Sequence, residues 1–99
     1  MALLDLAGRR WTLRVLWELS EARTPLTFRE LKVRCADMSS SVLARRLAEL
    51  RQARLITRTR DGYRLSDLGE DLVARLQPLV EWSRMWAAEL GRANDERAR

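Results

Sequence analysis

One stretch of the chain, Ser39 to Arg54, has a helical pattern with two unlike faces and so restricts the folds that are possible. Leu43, Leu47 and Leu50 recur at the 3.6-residue period, which requires one stripe to be buried against other elements. The opposite stripe and its edges carry only small, polar or cationic side chains: Ser41, Ala44, Arg45, Ala48, Arg51 and Gln52. Such a face can lie close to a polyanion, because small residues admit the backbone and arginine reaches phosphates or guanine edges. An ordinary amphipathic helix with a solvated face is the alternative.

A shorter helix is predicted immediately before this one. Thr27 and Glu30 form the spacing of a capping box, which starts a helix that runs to about Cys35. Residues 36–38 then make a turn, and Ser39 is a suitable N-cap for the longer helix. A short helix, a tight turn and a longer helix with a cationic outer face form the helix-turn-helix arrangement, here over residues 27–54.

Residues 55–66 are predicted to form a β-hairpin. Two β-prone runs are joined by Asp61-Gly62, for which a type I′ turn is expected because glycine tolerates positive φ. Alternation places Ile56 and Leu65 toward the core. Three arginines are expected near the tip: Arg58, Arg60 and Arg64. Like charges at one tip repel each other without an anionic neighbour, which favours a DNA-binding wing.

The N-terminal segment has more apolar surface than a chain of this size can bury. Residues 3–20 are predicted to be helical around a break at Gly8, with Leu13 and Trp17 facing away from Val15. A helix that is apolar nearly all round needs cover on two sides. In a chain of 99 residues the second cover can be a partner subunit.

A long helical region is predicted for residues 67–90. One seam recurs every seven residues, as in a coiled coil: Leu72, Leu79 and Trp86. Pro78 is expected to kink or divide the helix, and the polar tail 91–99 is expected to fray. We therefore expect N- and C-terminal dimerisation helices and a homodimer. Its predicted interface comprises Leu3, Leu6, Trp17, Leu72, Leu76, Leu79, Trp82, Trp86 and Leu90.

Four tryptophans are a high number for 99 residues: Trp11, Trp17, Trp82 and Trp86. Core and dimer packing is the default interpretation, since tryptophan contributes a large buried area. The alternative is that the four side chains line an aromatic cavity at the dimer interface, which would hold a flat, small aromatic effector.

The distribution of charge favours an anionic partner for the middle of the chain. Net charge is +5, and residues 27–64 hold ten Lys/Arg against four Asp/Glu, while the remainder is nearly balanced. Eighteen of the nineteen cations are arginine, which suits bidentate recognition but also fits a base-composition bias in the genome. Residues 1–99 are expected to form a single domain.

The chain lacks the residues that other functional classes require. The chain has no histidine and no glycine-rich phosphate loop, so an enzyme, a metal site and a bound cofactor are not expected. With no run long enough to span a membrane and no signal peptide, a cytoplasmic protein is expected. The single cysteine, Cys35, cannot form an internal disulfide and is interpreted as a buried, inert thiol, with a redox sensor as the alternative.

In its order of elements and in several short motifs, the chain resembles the HxlR-type transcriptional regulators, winged-helix relatives of the MarR class. The matching motifs include Gly8-Arg9-Arg10-Trp11-Thr12-Leu13, Phe28-Arg29-Glu30-Leu31, Met38-Ser39, Val42-Leu43-Ala44-Arg45-Arg46-Leu47, Leu55-Ile56 and Tyr63-Arg64-Leu65-Ser66. The resemblance implies a dimeric bacterial regulator that reads a pseudo-palindromic operator. The chain departs from the family in its short wing, in the lack of a leading cysteine, and in Arg54, where the family usually has glycine.

These observations predict a winged helix-turn-helix protein that binds double-stranded DNA. The expected DNA contacts are Ser39, Ser40, Ser41, Ala44, Arg45, Arg51, Arg58, Arg60 and Arg64. For Arg46, both an internal pair with Glu49 and a DNA contact remain open. Two other functions also remain open: a winged-helix module that docks on an acidic protein, and a chromosomal binder that is indifferent to sequence.

Overall fold

The computed structural model describes residues 11–98, in which four helices and one two-stranded hairpin follow one another along the chain. The elements are α1 (Thr12–Ala22), α2 (Phe28–Arg34), α3 (Ser40–Gln52), β1 (Ile56–Thr59), β2 (Gly62–Leu65) and α4 (Asp67–Ala98). The mainly helical, winged helix-turn-helix fold predicted from the sequence is confirmed. The helical turns predicted for residues 3–7, with Leu3 and Leu6, lie outside the described residues.

The core lies where α1, α2 and α3 meet beneath the hairpin. The whole apolar stripe of α3 is buried, with Leu43, Leu47 and Leu50 each at most 2% exposed. It packs in one cluster with residues of the other elements: Val15, Leu16, Leu19, Leu26, Leu31, Cys35, Met38, Leu55, Ile56, Leu65 and Val73. Each buried leucine contributes about 1.5–3 kcal/mol relative to an exposed one. This burial sets the rotation of α3 about its own axis.

Side chains cap the N-termini of α2 and α3, as predicted. The Glu30 backbone N–H donates to Thr27 Oγ1 at 3.2 Å, and the Thr27 N–H donates to Glu30 Oε1 at 3.0 Å. The hydrogen bond from the Thr27 backbone N–H to the Glu30 carboxylate, with a smaller contribution from the Thr27 side chain, holds the pKa of Glu30 below its usual value. The stabilisation that this carboxylate contributes is therefore present at neutral pH and is lost as the pH falls through that lowered value, whereas the bond to Thr27 Oγ1 remains. At α3, the Val42 N–H donates to Ser39 Oγ at 3.2 Å.

Arg54 ends α3 in the left-handed conformation, with φ of 62°. The Arg54 N–H donates to the Arg51 carbonyl and the Leu55 N–H to the Leu50 carbonyl, both at 3.0 Å. This pair of bonds is a Schellman motif, and the buried side chains of Leu50 and Leu55 belong to the hydrophobic contact that usually accompanies it. An arginine thus occupies the position where the motif favours glycine.

The hairpin pairs β1 and β2 from Ile56↔Leu65 to Thr59↔Gly62. Its turn is formed by Arg60 and Asp61, neither of which has positive φ, so the predicted type I′ turn at Asp61-Gly62 is wrong. Gly62 instead begins β2 with φ of 132°. A Cβ at Gly62 would lie 2.5 Å from the Leu26 carbonyl, because Leu26 pairs with Tyr63 as a one-residue third strand.

The last helix, α4, is continuous through Pro78 to Ala98, so neither a division at Pro78 nor a frayed tail over residues 91–98 is observed, while residue 99 lies outside the described residues. Pro78 and Ala74 lie on exposed positions, where water can satisfy the carbonyl that proline leaves unpaired. Beyond Gly91, helix-compatible residues and an ion pair between Arg92 and Glu89 at 2.6 Å continue the helix. Within residues 11–98, no helix is long and apolar enough to cross a membrane.

The N-terminal end of α4 packs against the C-terminal end of α3. The Ser66 hydroxyl donates to the Arg54 carbonyl at 2.7 Å and accepts from the Gly69 N–H at 3.0 Å. The Ser66 N–H donates to the Leu55 carbonyl at 3.0 Å. Gly69 is itself buried, and a Cβ there would overlap the Leu55 carbonyl oxygen. The helix can approach Leu55 this closely only because residue 69 has no side chain.

Two glycines in α4 give a matched test of this contact. Gly69→Ala is expected to lower the free energy of unfolding by about 1–3 kcal/mol, because the overlap with rigid backbone outweighs the helix propensity of alanine. Gly91→Ala, where nothing lies within 4 Å of the new Cβ, is expected to raise the same quantity by up to about 1 kcal/mol. Urea unfolding followed by circular dichroism measures both. A stabilised Gly69→Ala protein would contradict the close packing at Leu55.

Candidate nucleic-acid interface

The outer face of α3 is a continuous exposed surface without acidic side chains. All of the residues predicted for it are exposed: Ser40, Ser41, Ala44, Arg45, Ala48, Arg51 and Gln52. Thirteen helical residues span about 20 Å, and an α-helix fits the B-DNA major groove. Alanines and serines keep this face narrow, while Arg45 and Arg51 extend from it. The face therefore has the shape and charge that major-groove binding requires.

Serines form the N-terminal end of this face. Ser39 and Ser41 lie within hydrogen-bond distance of each other, with their Oγ atoms 3.3 Å apart. The Ser39 hydroxyl already accepts from the backbone of the first turn, so its position is fixed by the cap. Ser39, Ser40 and Ser41 are all exposed beside the positive end of the helix dipole. Small hydroxyl side chains there suit a phosphate or a base edge.

Two adjacent arginines in α3 differ in their exposure to solvent. Arg45 is exposed, whereas Arg46 is 8% exposed and forms an ion pair with Glu49 at 3.2 Å. Of the two interpretations left open for Arg46, the structure supports the internal ion pair with Glu49. The Arg46 stem packs toward the core, so this side chain serves the fold and Arg45 is the one available to a partner.

A set of ion pairs that the sequence analysis missed connects α1 to the turn before α3. Arg14 pairs with Glu18 at 3.1 Å and lies 4.0 Å from Asp37, while Arg34 lies 3.8 Å from the same glutamate. An Arg14 Nη2–H also donates to the Arg34 carbonyl at 2.9 Å. The i, i+4 spacing of Arg14 and Glu18 is visible in the sequence. The partners on α2 and the turn become neighbours only through folding.

The hairpin does not gather its three arginines at one point. Arg60 lies in the turn, and the Arg58 guanidinium carbon is 5.6 Å from the centre of the Tyr63 ring. Arg64 pairs with Thr57, one step from the base of the hairpin and on the sheet face opposite Arg58. Arg58 and Arg60 are thus near the tip, as predicted, and Arg64 is not. The predicted inward positions of Ile56 and Leu65 are confirmed, at 2% and 6% exposure.

The sequence model of the HxlR-like helix-turn-helix family matches residues 6–90. The chain belongs to this family. HxlR proteins are transcriptional regulators that bind DNA and are not enzymes, which confirms the functional class predicted from the sequence.

Solved structures of HxlR proteins have the same fold. The quinone-bound structure of YodB from B. subtilis is 28% identical, with a TM-score of 0.78 over 85% of this chain and 93% of that one. The reduced form of the transcriptional regulator YodB is 27% identical, with a TM-score of 0.74 over 83% and 85%. A possible HxlR family transcriptional factor from Thermoplasma volcanium GSS1 is 24% identical, with a TM-score of 0.79 over 86% and 81%, which supports the fold alone.

This HxlR protein exposes an apolar stripe along the far half of α4. Leu79, Trp82, Trp86 and Leu90 are each about half exposed, and the two tryptophan rings stack with centroids 5.7 Å apart. Leu72, Leu76 and Trp17 are only half-buried. A groove of about 500 Å³ beside the stacked rings is lined by neither Trp11 nor Trp17. Within one chain, the four tryptophans therefore do not share this groove, and their common cavity stays a prediction.

Cys35, at the end of α2, is fully buried. Desolvation raises the pKa of its thiol above the ordinary value, so the thiol is protonated at neutral pH. Reactive cysteines need an exposed thiolate. Both properties of Cys35 favour the interpretation as an inert core residue over that as a redox sensor.

Arg45 and Arg46 give a matched test of the two faces of α3. Arg46→Ala is expected to lower the free energy of unfolding by about 1–3 kcal/mol, because it removes a buried stem and the ionic partner of Glu49. Arg45→Ala is expected to change the same quantity by less than about 0.5 kcal/mol, as for other exposed positions. Urea unfolding measures both, and equal losses would contradict the assigned faces.

Proposed function

We propose that this HxlR protein is a sequence-specific transcriptional regulator that acts in the cytoplasm as a homodimer on a pseudo-palindromic operator. The outer face of α3 enters the major groove, and the exposed arginines near the hairpin tip contact the phosphate backbone. In a twofold dimer, two such helices would meet half-sites about one helical turn apart, ~34–36 Å.

The observation that carries the proposal is the face of α3 with Arg45 exposed and the leucines buried. A guanidinium can donate two hydrogen bonds to the O6 and N7 atoms of guanine, which is the commonest specific contact in the major groove. Ala44 and Ala48, on either side of Arg45, leave room for the groove walls. The tip arginines add charge without a geometry that would distinguish bases, so we assign them to phosphates.

The stripe on α4 supports the homodimer. Leu68 belongs to the same stripe as Trp82, Trp86 and Leu90, since these positions fall within about 80° of one another on a helix. Leu68 is 57% exposed, so exposed apolar side chains recur on this side of the helix over about 33 Å, with the ion-paired Arg75 between Leu68 and Leu79. An apolar surface of this length on a monomer usually marks a protein contact. A second copy of α4 would cover it with side chains of the same kind.

A second candidate function concerns an effector. YodB has a quinone-bound structure, and this chain presents two stacked tryptophans beside a groove of about 500 Å³. Aromatic rings bind flat ligands by stacking. We infer that a flat aromatic molecule can bind here if a partner subunit closes the open side, which would place regulation at the dimer interface.

The DNA proposal predicts distinct effects for two arginines. Arg45→Ala is expected to weaken operator binding by about 1–3 kcal/mol while the affinity for unrelated duplexes falls much less. Arg60→Ala is expected to weaken both alike and to lower the slope of log K against log salt by about one unit. The operator is first obtained by selecting duplexes from a random pool, and fluorescence anisotropy then measures affinity across salt concentrations.

Arg84→Ala is the control, since Arg84 is exposed on α4, on the side opposite the apolar stripe and away from α3. No duplex binding at low salt would favour a protein-docking module. Binding with a salt slope but no preferred sequence would favour a chromosomal binder. Either result would contradict the proposed function.

The dimer proposal is tested on the α4 stripe. The double variant Trp82→Ser/Trp86→Ser is expected to weaken self-association by at least about 2 kcal/mol, because buried tryptophans dominate interface energies. Arg84→Ser, on the opposite side of the helix, is the control and is expected to leave association unchanged. Sedimentation equilibrium measures the dissociation constants. Equal self-association of both variants would show that the dimer uses another surface.

A further inference from the structure

A separate groove of about 530 Å³ lies between the end of α1, the base of the hairpin and the first turns of α4. No residue of α3 lines it, and none of the four tryptophans does. Its volume is within the range of small-molecule sites, about 300–1,000 Å³. It is therefore distinct from both the proposed DNA face and the tryptophan stripe.

Two arginines line this groove from different elements. Arg23 ends α1 in the left-handed conformation, with φ of 57°, and Arg64 extends from β2. Both are exposed, and across residues 11–98 neither side chain has an ion pair or a hydrogen bond. Glu70 on α4 also lines the groove and is likewise unpaired within that range. The three charges leave a net charge of +1.

The remaining wall includes apolar side chains at the edge of the core. Leu19, Leu65 and Val73 each retain between 4% and 8% exposure, and all three line the groove. The groove thus combines a cationic part with an apolar part. Its net charge matches one negative charge on a ligand, and its apolar part can be covered by a hydrocarbon body. A small organic carboxylate has both properties, whereas a bare inorganic anion has only the first.

We propose that this groove binds a small organic carboxylate. The carboxylate accepts hydrogen bonds from Arg23 and Arg64, since the guanidinium fork matches its two oxygens. The hydrocarbon part covers Leu19, Leu65 and Val73. Because Arg64 belongs to the hairpin and Val73 to α4, the ligand links the wing to the long helix. Its binding would therefore be thermodynamically coupled to any DNA contact that moves the hairpin, and the coupling is reciprocal.

The test uses benzoate and cyclohexanecarboxylate with the free 99-residue chain in the absence of DNA. Methyl groups of Leu19, Leu65 and Val73 are observed by ¹³C-edited NMR during titration. Both acids are expected to give saturable shifts at these methyls. Arg23→Gln and Arg64→Gln are each expected to weaken binding roughly tenfold, because each removes a charge-assisted contact. Glu70→Gln is expected to tighten binding, since it removes the repelling carboxylate.

Control variants and control ligands test whether binding requires the charges and the walls of this groove. Arg75→Gln, on the opposite side of α4, is expected to leave the affinity unchanged, and benzamide or inorganic phosphate is expected not to saturate the groove. Absence of saturable shifts up to about 10 mM acid would overturn the proposal, since weaker binding carries no specificity. So would equal affinity in Arg23→Gln, equal binding of benzamide or phosphate, or shifts at the Leu90 methyls in place of the groove methyls. Because DNA is absent, none of these results depends on the operator proposal.

Discussion

The burial of Leu43, Leu47 and Leu50 under α3 determines which side of that helix can meet another molecule. Turning the helix by one residue, about 100°, would expose leucines and bring Arg45 toward the core. The lost burial would amount to about 1.5–3 kcal/mol for each leucine, and an unpaired buried guanidinium would add several more. Alternative rotations of α3 are therefore not populated. The narrow cationic face is a consequence of core packing, and it exists before any partner binds.

Charged side chains around α3 then divide into those that hold the helix and those that are left free. Arg46 pairs with Glu49 beneath the helix, and Arg14 reaches the Arg34 carbonyl and the turn that leads into α3. The partly exposed ion pairs of Arg14 and Arg34 contribute little stability one by one, unlike the buried pair of Arg46. Their effect is geometric, because together they connect α1 to the end of α2 and, through Asp37, to the turn that leads into α3. Arg45, by contrast, points away from this network and keeps its hydrogen-bonding capacity for a ligand.

Features that depend on neighbours in the sequence could be predicted, and features that depend on distant contacts could not. The capping box at Thr27 and the leucine stripe of α3 are local patterns, and both are observed. The predicted turn was wrong because Gly62 is required by the approach of Leu26, more than thirty residues earlier, and not by the turn itself. The position of Arg64 followed from that error, since the register decides which residues reach the tip. No sequence pattern indicated that Arg23 and Arg64 would line one groove, because they lie about forty residues apart in the chain.

The joint between α3 and α4 connects the proposed DNA face to the proposed dimer face. Leu55 follows the Schellman motif that ends α3, and its carbonyl accepts the Ser66 N–H while Gly69 packs directly against it. Backbone atoms therefore fix the direction in which α4 leaves the domain, with no flexible linker between the two helices. Since α4 is a single helix of 32 residues, about 48 Å long, that direction is carried to the exposed tryptophans. In a homodimer joined through α4, the packing of Leu55, Ser66 and Gly69 would set the distance between the two α3 helices. A small change in this packing would therefore alter the spacing of the half-sites that the dimer can bind.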